Sequence, residues 1–148
     1  MAEIHTEMII AASAERVWQV LTDLAAYPEW NPLVREAKGE LVEGKSLRVK
    51  LALGKRSVPI KPKLLRVDPN RALVWRGSLP IPGLFAGEHS FEIISETPTQ
   101  VRFHHWEKFN GLLVPVLGKM LEQTKRAFEQ FNVALERRAT GTAAKTAN

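Results

Sequence analysis

The 148-residue chain contains no cysteine. That excludes a disulfide framework, a thiolate metal site and a cysteine nucleophile, and it suits a reducing cytosol. Long hydrophobic runs are missing as well. No stretch approaches the roughly 18 apolar residues of a membrane span, and "MAEIHTEMIIAA" lacks the basic-then-apolar order of a signal peptide. We therefore expect a cytoplasmic protein. There is no Gly-rich phosphate loop, no His-Glu-x-x-His helix and no Gly-x-Ser-x-Gly elbow, so no recognised catalytic constellation is present. No internal repeat or low-complexity segment interrupts the domain. The length suits one domain, which at this size buries about 68–70% of the surface its unfolded chain exposes.

Acid is locally absent. Between Glu43 and Asp68 there is none, yet Lys45, Arg48, Lys50, Lys55, Arg56, Lys61, Lys63 and Arg66 all fall there. The whole chain carries a formal charge of +5, with a pI near 9.7. The plain reading is a solvated outer sheet face whose lysines protect an edge from pairing. The sharper reading is contact with an anionic membrane surface or RNA. Aromatic interleaving of the kind single-strand binders use is missing, which argues against nucleic acid.

The residues that are present set out an order of elements. "EIHTEMIIAA" is β-branched and apolar, and reads as a strand. Ser13 then offers a hydroxyl to the orphan amides of a helix whose Val17, Trp18, Leu21 and Leu24 recur at helical spacing, and Glu15 favours the positive helix end. Tyr27 and Asn31 precede Pro28 and Pro32, which disfavours the α conformation at both and predicts a broken turn or short second helix before a strand entered at Leu33.

From there to about Phe109 the period becomes two. "SLRVKLAL" sets Leu47, Val49, Leu51 and Leu53 against Arg48 and Lys50. Turn residues separate the further strands: Gly54 with Lys55, then "DPNR", then "ETPT". Pro59 and Pro62 mark "SVPIKPKLLRV" as an edge or distorted strand. "LPIPGLFAG", with Pro80, Pro82 and Gly83, reads as a rigid loop whose Leu84 and Phe85 gate a mouth or cap the core. The spacing of Leu113, Leu117, Met120, Leu121, Thr124, Phe128, Phe131 and Leu135 predicts one helix from Leu112 to about Arg137. Pro115 is tolerable near its start, and Gly118 points to a bend or a close contact. Residues 1–138 thus form one α+β domain, and 139–148 are expected to be a disordered tail.

Three pieces in this order, "ASAERVWQVLTDLAAYPEWNP", "DPNRALVWRGSLPIPGLFAGEHSFEI" and "VRFHHWEKFNGLLVPVLGKML", resemble the SRPBCC superfamily, also called the START or birch-pollen-allergen superfamily. The match is to its bacterial polyketide cyclase/dehydrase-like branch and covers nearly all of residues 3–137. The resemblance implies a helix-grip fold: a curved antiparallel sheet of about seven strands around the long helix, two short helices after the first strand, and a hydrophobic cavity between sheet and helix. It implies binding or transport of a hydrophobic small molecule such as a lipid, polyketide or aromatic compound. The alternatives are a cyclase, dehydratase or hydrolase acting in the same cavity, and an accessory module that meets an anionic membrane surface or a partner protein. It brings no cofactor and no metal. It places the Tyr27–Trp30 segment in the lid near the cavity end.

Polar residues stand out on the strand pair "GEHSFEII" and "VRFHHWEKF". His89, Phe91 and Ile93 share one face; Val101, Phe103, His105, Glu107 and Phe109 share the other strand's matching face. Two registers satisfy this parity, with His89 opposite either His105 or Glu107, and both leave His89 within side-chain reach of Glu107. The cluster reads as a satisfied pair at the strand ends, as a ligand anchor, or as a general acid/base in an apolar cavity, with His89, His105 and Glu107 as catalytic candidates. Two histidines and a carboxylate are also the ligand types of a non-haem iron site, but all three would have to converge. Trp75, Trp18 and the Phe128/Phe131 stripe read as core before ligand contact, although in a grip fold one residue can be both. The candidate ligand contacts are Trp30, Trp75, Gly77, Phe85, His89, Phe91 and Phe103, together with His105, Glu107, Phe109, Leu117, Met120, Thr124 and Phe128.

Overall fold

The computed structural model describes residues 2–53, 55–78 and 83–141, with the Leu53 side chain left aside. The expected turn at Gly54, the prolines of the Pro80–Pro82 loop and the tail from 142 onward lie outside the described residues. In chain order the elements are β1 (Ala2–Ile10), α1 (Ala14–Thr22), a 3-10 turn (Leu24–Ala26), α2 (Tyr27–Trp30), β2 (Val34–Lys38), β3 (Arg48–Leu53), β4 (Arg56–Ile60), β5 (Lys63–Asp68), β6 (Ala72–Ser78), β7 (Ala86–Thr97), β8 (Gln100–Asn110), a second 3-10 turn (Val114–Val116) and α3 (Gly118–Thr140). The fold is α+β, and its curved antiparallel sheet and long C-terminal helix match the helix grip.

Eight strands replace the expected seven or so because Lys61 and Pro62 split "SVPIKPKLLRV" into β4 and β5. The split has a structural consequence. β4 pairs with β3 in a sheet ordered β2-β3-β4, whereas β5 pairs with β6 in a sheet ordered β1-β8-β7-β6-β5. Pro59 lies on the edge strand β4, where a ladder tolerates a residue without an amide proton. The sheets are tied at the bend by the Ser46–Lys63 bridge, by Leu47 N–H donating to Pro62 O at 2.9 Å and by Leu64 N–H donating to Lys45 O at 2.8 Å. Leu47 and Val49 point inward and are buried, as the alternation requires, and Leu51 is half-buried. At the "DPNR" turn Asn70 adopts φ 66°, a left-handed conformation that asparagine tolerates.

Ser13 caps α1 as expected, its hydroxyl accepting from Arg16 N–H at 3.1 Å, and Ala14, Val17, Val20 and Leu21 are buried beneath it. Asn31 is extended, at φ −86° and ψ 112°, and its Oδ1 accepts from Leu33 N–H at 3.0 Å and Val34 N–H at 2.9 Å. Tyr27 departs from expectation: it is helical, at φ −53° and ψ −40°, so α2 starts on it and Pro28 occupies the helix's first turn. That position wants no amide donor. The Tyr27 hydroxyl donates to Leu21 O, and the ring meets Trp30 edge-on at 5.5 Å. Burial, assisted by Asp23, pushes the phenol pKa well up. The aromatic–proline segment is therefore a locked corner.

α3 begins at Gly118, not Leu112, because Pro115 and Gly118 break the helical run within four residues and leave a 3-10 turn before it. Gly118 makes no close contact, since a Cβ there would meet nothing within 4 Å. α3 packs on β1, β8 and α1. Its stripe is buried at Phe128, Phe131, Asn132, Leu135 and Ala139, while Leu117, Met120, Leu121 and Thr124 are half-exposed. The helix runs about three residues past its expected end at Arg137, so Ala139 and Thr140 belong to it and not to a tail, and Gly141 closes it at φ 74°. Arg16 donates to the terminal carbonyls of Arg138 and Ala139 at 3.1 and 3.2 Å, a cation at the negative end of the helix. Among the described residues no helix is long and apolar enough to cross a membrane.

Candidate functional site

The β7–β8 hairpin realises the register with His89 opposite Glu107, which sets Phe91 opposite His105. On the concave face His89 Nδ1 lies 3.3 Å from Glu107 Oε1, and His89 Nε2 lies 2.6 Å from His105 Nε2. His105 Nδ1 meets Asn132 Oδ1 at 2.8 Å, Asn132 Nδ2 donates to Thr6 Oγ1 at 2.9 Å, and Thr6 donates to His105 O at 2.8 Å. Five side chains from β1, β7, β8 and α3 thus form one line.

The line fixes its own protons. Because Asn132 spends its amide hydrogens on Thr6, its oxygen faces His105, and His105 must carry its proton on Nδ1. The lone pair on His105 Nε2 then accepts from His89 Nε2–H. That leaves His89 Nδ1 facing a Glu107 carboxylate oxygen at 3.3 Å. Burial, and then the neighbouring His89, hold the His105 imidazole well below the usual histidine range. Phe128 stacks on His105 with centroids 4.1 Å apart and planes 8° apart, and Phe91 lies 4.7 Å away on another side.

Thr6 and Asn132 were not singled out from sequence. A signal existed: Asn132 stands four residues after Phe128 and three before Leu135, on the apolar stripe, and Thr6 alternates with Ile4 and Met8. A polar residue in such a stripe calls for a buried partner. The other two histidines lie on the convex face, where His5 stacks on His104 and Trp106 at 5.2 and 5.3 Å.

Glu107 reaches over Gly87, where a Cβ would collide with its Oε2. Gly87 pairs across the strands with Gly77, so two bare glycines lie side by side on β6 and β7. Gly77 opens onto a cleft of about 1220 Å³. The cleft lies where β4 and the end of β6 part, since β6 has no partner on that side beyond Arg76 among the described residues. Val49, Val58, Ile60 and Phe85 give it apolar walls, and Phe85 in turn stacks on Phe109 at 5.6 Å. Lys38 and Lys50 hydrogen-bond Glu36 on its rim and hold that carboxyl below the usual range.

The expected site residues therefore fall into three places. His89, His105, Glu107, Trp75, Phe91, Phe103 and Phe128 come together on the concave face, with Trp75 edge-on to Phe91 at 5.4 Å. Gly77 and Phe85 line the cleft, and the histidine–glutamate line does not reach its walls; Gly87 separates them. Trp30 packs on Phe131 at 5.6 Å with its indole N–H unpartnered, and Leu117, Met120 and Thr124 stand half-exposed on the first turns around α3. Among the described residues no group of three histidine or acidic side chains is arranged to hold a metal ion; His89, His105 and Glu107 touch in a line.

A family profile described as polyketide cyclase / dehydrase and lipid transport matches residues 1–140. No curated protein matches the chain. Solved structures do. A Mesorhizobium loti protein is 20% identical with a TM-score of 0.75, over 95% of this chain and 98% of its own. A START superfamily protein from Mycobacterium smegmatis is 21% identical with a TM-score of 0.73, over 95% and 98%. The Zhui aromatase/cyclase from a Streptomyces species is 16% identical with a TM-score of 0.70, over 99% and 96%. At these identities the structures share the fold, and the profile carries the family. The profile match along residues 1–140 makes the chain a member of the polyketide cyclase/dehydrase and lipid transport family, and its grip of curved sheet on α3 is the fold of the START superfamily structure.

Proposed function

We propose that the protein binds, and carries, a hydrophobic small molecule: a lipid, a polyketide or an aromatic compound. One observation carries the reading. An apolar-walled cleft of about 1220 Å³ opens beside Gly77, and pockets of this order accept small organic ligands. The ligand lies against Gly77 and Phe85, with the glycine strip leading toward Glu107 and His89 as the polar end of the same face. The cytoplasm is the proposed location. The test is uptake of a neutral, environment-sensitive apolar dye. Wild-type protein should take it up, and Gly77→Trp should lose most of that uptake with the fold retained, because a Cβ at Gly77 would meet only Ile60 Cδ1, at 3.8 Å. Well-folded protein that takes up no apolar probe would end the reading.

A second reading, acid–base catalysis on the same face, has one observation in its favour: the 3.3 Å approach of Glu107 to His89, backed by a line that fixes the His105 tautomer. A base oriented by a third group is the arrangement general acid–base chemistry uses. Glu107→Gln separates the two, since loss of turnover with binding intact marks catalysis and loss of affinity marks an anchor.

A further inference from the structure

The geometry points to an amphipathic oxyanion as the ligand: an apolar body with one carboxylate-type or phosphate-type head, the head held between cations on the two walls of the cleft. This rests on the carrier reading and narrows it to a chemical class.

The strand registers carry the inference. On one wall Lys63 stands directly opposite Arg76 across β5 and β6; on the other Lys38 stands directly opposite Arg48 across β2 and β3. All four line the same cleft. Like charges directly opposite in a sheet repel, and here the arrangement occurs twice. Glu36, the acid on this rim, is engaged by Lys38 at 3.0 Å and Lys50 at 3.3 Å. Arg48, Lys63 and Arg76 have no ion-pair partner among the described residues. A solvated face would spread such charges over a convex surface. These converge on a concavity with Val49, Val58 and Ile60 in its walls, where low-dielectric sides focus the positive potential. Guanidinium forks bind carboxylate and phosphate oxygens in bidentate fashion, and the apolar walls take the rest of the molecule.

The test uses a fluorescent long-chain carboxylate and its methyl ester, which share the apolar body and differ in the head charge. The carboxylate should bind at least about tenfold more tightly, and the preference should shrink with added salt. Lys63→Gln with Arg76→Gln should weaken carboxylate binding by more than it weakens ester binding, so that the preference shrinks, and an unchanged preference overturns the proposal. Without ligand, this variant should unfold at a urea midpoint close to that of wild type, because the substitution removes the like-charge Lys63–Arg76 pair together with the opposite-charge Arg76–Glu88 pair across β6 and β7. Equal binding of acid and ester by wild type overturns the charge inference and leaves the carrier reading standing. Binding of neither overturns both. Binding only to anionic vesicles, with no monomer bound, replaces the cleft with a membrane-contact surface and overturns the proposal.

Discussion

Glu107 and Gly87 lie against each other so closely that the carboxylate occupies the place a Gly87 side chain would take. The absence of a Cβ on β7 is thus what lets a residue of β8 reach His89 and complete the polar line.

Gly87→Ala should push the Glu107 carboxylate off His89. We expect a stability loss of about 1–3 kcal/mol, the cost of leaving a buried polar group unpaired. Gly77→Ala is the control, since its Cβ would meet only Ile60 Cδ1 at 3.8 Å. Urea unfolding checks the pair, and equal midpoints for the two variants would show that Glu107 is not held by the glycine.

Asn132→Leu keeps the helix stripe apolar but strands the His105 Nδ1–H and one side of Thr6. The expected cost is about 1–3 kcal/mol. Thr6→Val combined with it should cost clearly less than the two single losses summed, because both remove members of one line. A double-mutant cycle measures this coupling, and strict additivity would mean that the three residues act separately.

Stability should fall on acidification. His105 stays neutral in the folded chain, held down chiefly by burial and then by His89, whereas in the unfolded chain it takes a proton as pH drops through about 6.5. The unfolded state then binds more protons, so each step below about pH 6.5 lowers stability until the folded-state value is passed. Urea midpoints from about pH 7.5 to 5 should show that slope. His105→Gln, less stable at neutral pH, should show a shallower one. An unchanged slope would assign the effect to other groups.

Glu107→Gln should fold, because the Gln amide matches the carboxylate in shape and can donate to His89 Nδ1. We expect a stability within about 1 kcal/mol of wild type. Urea unfolding checks this, and a loss well beyond that would show that the carboxylate itself is needed beside His89.

Much of the fold was legible from period alone. The alternation of "SLRVKLAL" set Leu47 and Val49 inward, Ser13 announced α1, and the stripe through Phe128, Phe131 and Leu135 announced α3. What period could not locate was where α3 begins, because Leu113 and Leu117 keep helical spacing through a 3-10 turn that Pro115 and Gly118 impose. Tyr27 was misjudged for a related reason: the restraint of a following proline yields when that proline falls in the first turn of a helix.

At the candidate site, parity brought His89 and Glu107 together but left two registers open, and only the assembled hairpin selects one. Thr6 and Asn132 lie 126 residues apart and meet only when α3 crosses β1, so neither carries a local signature of the contact. The cleft is less local still. It follows from the angle between two sheets, and nothing in the basic run between Glu43 and Asp68 distinguishes residues on a wall from residues on a rim.

The bend at Lys61 and Pro62 carries the chain from one sheet to the other, and the width of the cleft is set there. Backbone bonds at 45–47 and 62–64 set the gape between β4 and β6, and the aromatic cluster under α3 stands apart from it. The cleft and the aromatic core thus belong to different parts of one chain, and changes at Pro59 or Pro62 should reshape the first while sparing Phe91, Phe103 and Phe128.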